Sequence, residues 1–375
     1  MLRCATLDDL PALLAVETQC FTTDRLSRRS FRHLLTRGNA VALIDEHDGR
    51  LRGYVLLLFS RGASMARLYS IAVHPDFAGR GVGDRLLESA ESAALERDCV
   101  LMRLEIRRDN PASLALFRRH GYRQFKEVLD YYEDHMAALR FEKRLVPHLQ
   151  AELVTVPYYQ QTLDFTCGPA ALMMAMKALD PALDLNRTLE LRLWREATTI
   201  FMTSGHGGCG PYGLALSAYR RGFDLEIHLN EDGIFLVDSV RSPEKKEVMR
   251  LVQEDWIEEL RHLPVLLRRG SLSVDELRQK SEAGGIPLVL ISSYRIYGER
   301  FPHWVVVTGF DDHYIYVHDP LVDSDGGQTV ADSVNLPIPH REFQRMARYG
   351  KAAQKAVLIL YRSRRRSDPA SPSLF

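Results

Sequence analysis

Residues 157–170 read Pro157-Tyr-Tyr-Gln-Gln161-Thr-Leu-Asp-Phe-Thr-Cys167-Gly-Pro-Ala170. Proline is tolerated in the first turn of a helix, so this pattern predicts a helix that starts at Cys167. A helix N-terminus lowers the pKa of a thiol, and the thiolate is the reactive form. Gln161 lies upstream and carries an amide N–H₂ that can donate to a developing oxyanion. The segment therefore predicts a nucleophile together with an oxyanion donor.

A histidine and an aspartate far downstream supply the remaining parts of such a site. Residues 304–310 and 314–318 read as two strands of a hairpin. A turn centred on residue 311 would place His303 directly opposite Asp319, on one face of the hairpin. A carboxylate at that distance can hold an imidazole in one tautomer. We therefore predict His303 as the base and Asp319 as its orienting residue in a thiol acyl-transfer site.

Two alternatives stay open at this half of the chain. His318 and His313 rival His303 as the base, although His318 falls on the opposite face of the hairpin and His313 falls in its turn. The Gly-rich stretch 199–214 carries His206 and Cys209, which could hold a metal, line the acyl pocket or serve structure alone. Since structural zinc takes four ligands and only two are local, we favour a loop that lines the substrate pocket and assign no metal.

A second, unrelated pattern lies near the N-terminus. Residues 68–83 read Leu68-Tyr-Ser-Ile-Ala-Val-His-Pro-Asp-Phe-Ala-Gly79-Arg-Gly-Val-Gly83, a strand followed by a loop with three glycines. An amphipathic helix is predicted next. Glycines let the backbone approach a ligand closely, and the free N–H groups of a helix N-terminus favour an anion. This order of elements predicts a cradle for a pyrophosphate.

The glycine segment resembles motif A of the GNAT acetyltransferases. The resemblance is close to the members that acetylate the N-terminal α-amine of ribosomal proteins. The resemblance covers residues 1–143. It implies an α/β fold with a mixed, mostly antiparallel sheet and helices on both faces, acetyl-CoA as co-substrate, and a peptide or protein amine as acceptor. It also implies site residues: pyrophosphate on Gly79, Arg80, Gly81, Val82 and Gly83, the thioester beside Ile71, Ala72 and Val73, the pantetheine arm at Asn110, and Glu105 as base for the amine.

Two positions depart from the GNAT pattern. Ala78 stands where the relatives usually carry Gln or Arg, which matters little because backbone amides do most of the binding. Phe117 stands where they usually place the tyrosine that protonates the leaving thiolate, and phenylalanine cannot donate a proton. Either Tyr131 or Tyr132 substitutes for it, or the domain binds acyl-CoA without efficient transfer.

The larger half resembles the C39-like, papain-type cysteine peptidases over residues 154–362, including the offset between the glutamine and the cysteine. The resemblance implies an α+β papain-like fold in which Cys167 is the nucleophile, His303 the base, Asp319 the orienter and Gln161 the oxyanion donor. Better-known members cut leader peptides and are fused to export ATPases. The chain contains no GxxxxGK[ST] motif and no apolar run of membrane-spanning length, so an export role is not supported.

Length and composition predict two domains in 375 residues. We expect a GNAT domain at 1–145, a linker at 146–153, a peptidase-like domain at 154–363 with helices ahead of strands, and a disordered tail at 364–375. The formal net charge of zero argues against nucleic acid or acidic membranes as partners. Five scattered cysteines, an odd number, favour a reducing compartment, and we expect the cytoplasm. Oligomeric state is left open.

Together these patterns predict a bifunctional cytoplasmic enzyme that acetylates an amine and cleaves or transfers an amide bond through a Cys167 thioester. One alternative is a cysteine peptidase regulated by a non-catalytic acyl-CoA-binding domain. Another is a binding module in which both sites are inactive.

Overall fold

The computed structural model describes residues 1–36, 38–147, 149, 151–199, 207–231, 233–237, 240–324 and 328–363. The chain divides into two compact units, Met1–Leu149 and Gln150–Phe375. None of the described helices is both long enough and apolar enough to cross a membrane. The predicted tail 364–375 and His206 lie outside the described residues.

The first unit is built on one sheet with helices on both faces. Its helices are α1 (Leu10–Cys20), α2 (Arg28–Thr36), α3 (Val82–Leu95) and α4 (Pro111–Arg119), and its strands are β1 (Leu2–Cys4), β2 (Ala40–His47), β3 (Arg50–Phe59), β4 (Met65–Val73), β5 (Leu101–Arg107), β6 (Arg123–Val128) and β7 (Ala138–Arg144). The described strands run in the order β1-β2-β3-β4-β5-β7-β6, and β4–β5 is their parallel pair. Separate apolar cores pack α3 and α4 on one face and α1 and α2 on the other. The predicted mixed, mostly antiparallel α/β architecture is confirmed.

Strands β4 and β5 separate partway along their length. They pair from Met65 to Leu68, and after that β4 stays with β3 while β5 stays with β7. At the point of separation Tyr69 is an extra residue in β4, since Leu68 and Ser70 face consecutive residues of β3. Such bulges re-aim the side chains that follow them. Residues 69–73 are therefore left, among the described strands, with one paired edge and one open edge.

The second unit surrounds a larger sheet. Its helices are α5 (Cys167–Leu179), α6 (Arg187–Ala197), α7 (Pro211–Arg220), α8 (Pro243–Arg261), α9 (Val274–Glu282), α10 (Tyr294–Tyr297) and α11 (His340–Met346), and its strands are β8 (Glu152–Leu153), β9 (Asp224–Leu229), β10 (Leu266–Arg269), β11 (Ile286–Ser292), β12 (Pro302–Phe310), β13 (Tyr314–His318), β14 (Leu336–Pro339) and β15 (Ala356–Tyr361). The described strands run β10-β9-β15-β11-β12-β13-β14, and β8 pairs with β12.

Alternation along the central strands assigns the two faces of this sheet. Leu288 and Leu290 belong to the core that also contains α5 and α7. Val289 points to the other face, since successive strand residues alternate, and α9 packs against β11 there. Helix α5 is apolar on all sides and buried over most of its length, as expected for a helix enclosed by its neighbours.

Several predicted elements differ from the structure. Residues 131–143 were expected to form either a final strand pair or a strand and a tail, and the structure has one strand there, β7, which pairs with the earlier β6. Helices do not all precede strands in the second unit, because α8, α9 and α11 alternate with them. Residues of β8 fall inside the predicted linker 146–153 and join the sheet instead.

Candidate active sites

The nucleophile candidate stands where the sequence pattern places it. Helix α5 begins at Cys167, which is 7% exposed. Its thiol lies close enough to the imidazole of His303 to raise the pKa of that ring. The next residue must be small, because a Cβ on Gly168 would lie 3.2 Å from both the Cβ of Cys209 and the Cδ1 of Trp304. The close packing at Gly168 therefore fixes where the first turn of α5 lies.

His303 joins this thiol to a buried carboxylate. Its Nε2 lies 2.6 Å from Oδ1 of Asp319, and both residues are 1% exposed. The remaining ring nitrogen, Nδ1, is left for Cys167. Burial lowers the pKa of His303, but the carboxylate of Asp319 and the neighbouring Cys167 outweigh burial and raise that pKa to about 10. A pKa in this range favours the protonated imidazole at neutral pH.

Asp319 is held by groups other than the histidine. The backbone N–H of Leu321 donates to its Oδ1 at 2.9 Å, and the hydroxyl of Tyr297 donates to its Oδ2 at 2.8 Å. The hydroxyl of Tyr158 donates to its backbone carbonyl at 2.9 Å. Hydrogen bonds from several directions fix the carboxylate, and a fixed carboxylate can orient the imidazole.

The predicted register of the hairpin was wrong. Val306 faces His318, and a bulge follows between Val307 and Gly309, so the extended register puts Asp319 beside Val305 rather than opposite His303. The error is two residues, an even number, which preserves the face because side chains alternate with period two. The two side chains therefore still meet, as diagonal neighbours.

The rival histidines have other environments. Nε2 of His318 lies 2.8 Å from the carbonyl oxygen of Val156, and its Nδ1 accepts from the backbone N–H of Asn335 at 3.0 Å. Both ring nitrogens therefore serve the packing of loops. His313 is exposed in the turn between β12 and β13. The structure favours His303 as the partner of the thiol.

The side chain of Gln161 is buried and already engaged. Its Nε2 donates to the carbonyl of Leu163 at 2.9 Å, and its Oε1 has no hydrogen-bond partner among the described residues. Its backbone N–H donates to the carbonyl of Pro320 at 2.9 Å, next to Asp319. The second N–H of the amide remains for a ligand.

A buried glutamate holds the loop that leads to the nucleophile, and the sequence analysis missed it. Glu190 in α6 is 0% exposed. Its carboxyl group accepts from the Tyr159 hydroxyl at 2.9 Å, the Thr162 N–H and hydroxyl at 2.8 and 2.7 Å, and the Thr166 hydroxyl at 2.5 Å. Thr166 immediately precedes α5. Its burial could have been predicted from helical spacing, because Glu190 lies on the same face of α6 as the apolar residues Leu193 and Ala197.

Replacing Glu190 with Gln is expected to slow the alkylation of Cys167 at pH 6 by about tenfold, because an amide cannot accept all of these donors and the loop before the nucleophile shifts. The matched control is Glu196→Gln, on the same helix but paired at the surface with Arg221. Urea denaturation measured alongside separates stability from reactivity. A variant that loses stability but keeps the wild-type alkylation rate would assign Glu190 to structure alone.

Cys209 packs beside the first turn of α5. Its carbonyl accepts from Nε1 of Trp304 at 3.0 Å. Burial, and then the nearby Cys167, raise the pKa of the Cys209 thiol well above its usual range. No group of three potential ligands that could hold a metal occurs among the described residues. Its neighbour in the motif, His206, is outside them. Cys209 therefore contributes packing against the first turn of α5.

The glycine cradle of the first unit has the backbone that an anion site needs. Gly79 and Gly81 adopt left-handed φ values of 72° and 69°, which favour glycine, and α3 begins at Val82. Arg80 lies over the ring of Phe77 at 5.6 Å. A Cβ on Gly83 would approach Leu116 to 3.4 Å. These features present the free N–H groups of α3 at the loop.

The open edge of β4 leads into this cradle. Ile71, Ala72 and Val73 lie on the part of β4 that has left β5. Asn110 caps α4, because its side-chain oxygen accepts from the Ser113 N–H at 3.0 Å, and its amide N–H₂ remains for a ligand. The open strand edge, the left-handed glycines and the helix N-terminus together fit an extended molecule with a pyrophosphate at one end and a carbonyl group at the other.

The predicted base of the first unit is enclosed by arginines. Glu105 forms ion pairs with Arg67 at 2.9 Å and with Arg140 at 3.3 Å, and its side chain is 6% exposed. Arg67 also donates to the hydroxyl of Tyr131 at 3.2 Å. Both oxygens of Glu105 are thus engaged, and the tyrosine hydroxyl belongs to the same cluster.

The other aromatic candidates lie elsewhere. Phe117 is buried edge-on against Tyr122, with ring centroids 5.3 Å apart. Tyr132 lies under the guanidinium of Arg107 at 5.0 Å, and burial raises its pKa. Of the two tyrosines expected to replace the missing acid, Tyr131 is therefore the one whose hydroxyl lies in the Glu105 cluster.

Comparison with known proteins divides the chain in the same way. The Peptidase_C39 like family matches residues 156–361, more than half of the chain, and the Acetyltransferase (GNAT) family matches residues 9–122. A relative from Bacillus subtilis (strain 168), described as "Putative ribosomal protein bS18-alanine N-acetyltransferase", is 27% identical over 128 residues, which span 34% of this chain and 83% of that protein. Acetyl-CoA is the acyl donor of the GNAT family and the cofactor of this half of the chain.

Solved structures also match the first unit. The ribosomal-protein-S18-alanine N-acetyltransferase of Escherichia coli is 22% identical with a TM-score of 0.36, covering 39% of this chain and 93% of its own. The ribosomal-protein-alanine N-acetyltransferase of Brucella melitensis is 24% identical with a TM-score of 0.34, covering 38% and 99%.

Proposed function

This chain belongs to the Peptidase_C39 like family and carries a GNAT acetyltransferase domain, and from that premise we propose a bifunctional enzyme that carries out two acyl-group reactions. The first domain transfers an acetyl group to an amine, with a peptide or protein N-terminus as acceptor. The second cleaves or transfers an amide bond through a thioester on Cys167. The relative described as a ribosomal-protein acetyltransferase supports the choice of acceptor.

One observation carries the second activity: buried His303 is paired with the carboxylate of Asp319, and Cys167 is near enough to raise the pKa of the ring. The thiolate attacks the amide carbonyl carbon, and Nδ1 of His303 gives its proton to the nitrogen as the C–N bond breaks. An amine leaves and an acyl thioester remains. His303 then takes a proton from water, whose oxygen attacks the thioester, and the acid leaves as the thiolate and imidazolium return.

The oxyanion that forms in each step needs donors. The free N–H groups at the start of α5 and the remaining amide N–H of Gln161 are the candidates. Donors fixed by the fold stabilise developing charge without reorganisation. The buried position of Gln161, tied to Leu163 and Pro320, supports this role.

In the first domain, the N–H groups at the start of α3 bind the pyrophosphate of the donor, and the open edge of β4 receives its carbonyl. Glu105, the base that the GNAT resemblance implies, takes the proton of the incoming amine. The hydroxyl of Tyr131 supplies the proton to the leaving thiolate. Bound acetyl-CoA contributes the activated acyl group.

A second candidate function is a peptidase governed by acyl-CoA binding. Phe117 has no hydroxyl to protonate the leaving thiolate, the role of the tyrosine usual at this position in the GNAT pattern. Glu105 is enclosed by two arginines. These two observations favour a domain that binds the donor without turnover. For either function, the scattered and free cysteines support a reducing, cytoplasmic setting.

The test uses the full chain with acetyl-CoA and a panel of peptides, scored by coenzyme A release and by mass spectrometry of the peptides. We expect wild type to acetylate and to break amide bonds, and Cys167→Ser to acetylate only. An acetyl-CoA-dependent rise in Tm without coenzyme A release would select the regulated peptidase. Absence of both release and thermal shift would contradict the acetyltransferase half.

A further inference from the structure

A cavity of about 300 Å³ lies in the second unit, apart from the thiol site. It opens between α9, α11 and strands β9, β11 and β15, on the face of the sheet to which Val289 points. Cys167, His303 and Asp319 are not among the described residues that line it. The proposed thiol chemistry therefore leaves this cavity without a role.

The inner walls of the cavity are apolar. Leu277 of α9, Val289 of β11, Phe343 of α11 and Val357 of β15 all line it, and each is buried. This apolar part of the lining fits a short hydrocarbon group, which gains free energy on leaving water.

Two cations line the same cavity and form no ion pair with the residues that the structure describes. Lys355 and Arg348 belong to its lining, and no described residue forms an ion pair with either. Burial, followed by the neighbouring guanidinium of Arg348, lowers the pKa of Lys355. Like charges brought together beside apolar surface repel each other, and an anion between them would relieve that repulsion.

The other titratable groups of the lining are already satisfied. Among the described residues that line the cavity, Glu276 supplies the single carboxylate, and its Oε2 accepts from the N–H and the hydroxyl of Ser273 at 2.7 and 2.8 Å. Nε2 of His228 lies 2.9 Å from the carboxylate of Glu226. With Lys355 and Arg348 against the one carboxylate of Glu276, the charged side chains of the described lining sum to a positive charge.

We propose that this cavity binds a carboxylate that carries a short apolar group, with the carboxylate between Lys355 and Arg348 and the apolar group against Phe343 and Val357. The C-terminal residue of a peptide has this chemistry, and so does a small free branched acid. The cavity would then be a second binding site on the peptidase-like domain, separate from the thiol.

The test is isothermal titration calorimetry on the full chain carrying Cys167→Ser. Removal of the thiol prevents the protein from consuming a probe. The probes are N-acetyl-leucine, a hexapeptide ending in leucine, the same hexapeptide as its C-terminal amide, and inorganic phosphate. We expect both carboxylates to bind and the amide to bind at least about tenfold more weakly, since it lacks the charge. A peptide that binds more tightly than N-acetyl-leucine identifies the peptide C-terminus as the source, and equal affinity identifies a small acid.

Lys355→Gln and Arg348→Gln should each weaken the carboxylates by about tenfold, because each removes one of the two cations. Lys351→Gln removes an exposed lysine from the same segment and should change nothing, which controls for net charge. Arg348 is exposed and Lys355 is half-buried, so both variants should fold, and their Tm values check this. Failure of both carboxylates to bind, equal binding of acid and amide, unchanged affinity in both variants, or binding of phosphate alone would overturn the proposal.

Discussion

Alkylation of Cys167 by iodoacetamide at pH 6 is expected to slow by about 100-fold when His303 is replaced with Ala. A free thiol with a pKa near 8.5 is ionised to roughly 0.3% at pH 6, whereas a neighbouring imidazolium favours the reactive thiolate. Asp319 and the nearby Cys167 raise the pKa of His303 to about 10, which favours the protonated imidazole at pH 6. The measurement is the pH profile of alkylation in both proteins.

The controls use the other histidine of the hairpin and the carboxylate. His313→Ala changes an exposed turn residue and should leave the profile unchanged, while Asp319→Asn should resemble His303→Ala, because the imidazole loses the charge that keeps it protonated. A wild-type profile that follows an ordinary thiol would contradict the proposed site and leave the second domain as a binding module.

The pairing of His303 with Asp319 also makes the stability of the protein depend on pH. The folded state raises the pKa of His303 from its ordinary 6.5 to about 10, so the folded protein binds that proton more tightly than the unfolded chain does. The resulting stabilisation is complete below about pH 6.5 and is lost as the pH rises through 10. The free energy of unfolding of wild type should accordingly fall more between these values than that of His303→Ala, as urea denaturation would measure.

Tyr131→Phe is expected to lower kcat for acetyl transfer by about 100-fold or more, since positioned proton transfer contributes 10²–10⁴-fold. KM for acetyl-CoA should stay the same, because the cradle at Gly79 and Gly81 is unchanged. The hydroxyl that is removed lies 3.2 Å from Arg67, inside the Glu105 cluster. Steady-state coenzyme A release at several acetyl-CoA concentrations and saturating peptide measures both constants.

Tyr132→Phe is the matched control, because it removes a hydroxyl from the adjacent residue, whose ring lies under Arg107. We expect its kcat to remain near that of wild type. Equal activity of the two variants would show that the leaving thiolate obtains its proton elsewhere, and a loss confined to Tyr132→Phe would exchange the two roles.

Much of the thiol site follows from local sequence signals. A cysteine followed by Gly168 and a proline predicts the start of α5, and the hairpin pattern predicts that His303 and Asp319 share a face. The register was wrong by two residues because two strand patterns reveal neither the bulge near Val307 nor the exact centre of the turn. An error of one residue would have separated the two side chains.

The environments of the two glutamates, Glu105 and Glu190, depend on contacts between residues that are distant in sequence. Glu105 faces Arg140 across the β5–β7 pair and meets Arg67 from β4, and neither pairing is visible in the local pattern. Glu190 was missed because a carboxyl on a helix is usually solvated, and its donors come from a loop about 30 residues earlier. Burial of a charged group is a property of the assembled domain.

The contact of Gly168 with Cys209 and Trp304 bears on other chains that share this fold. A side chain at this position would press on Cys209 and Trp304, and we expect the first turn of α5 and its sulfur to shift relative to His303. Relatives that have replaced this glycine should have kept the scaffold and surrendered the thiol chemistry, which makes a single small residue a practical marker for sorting them.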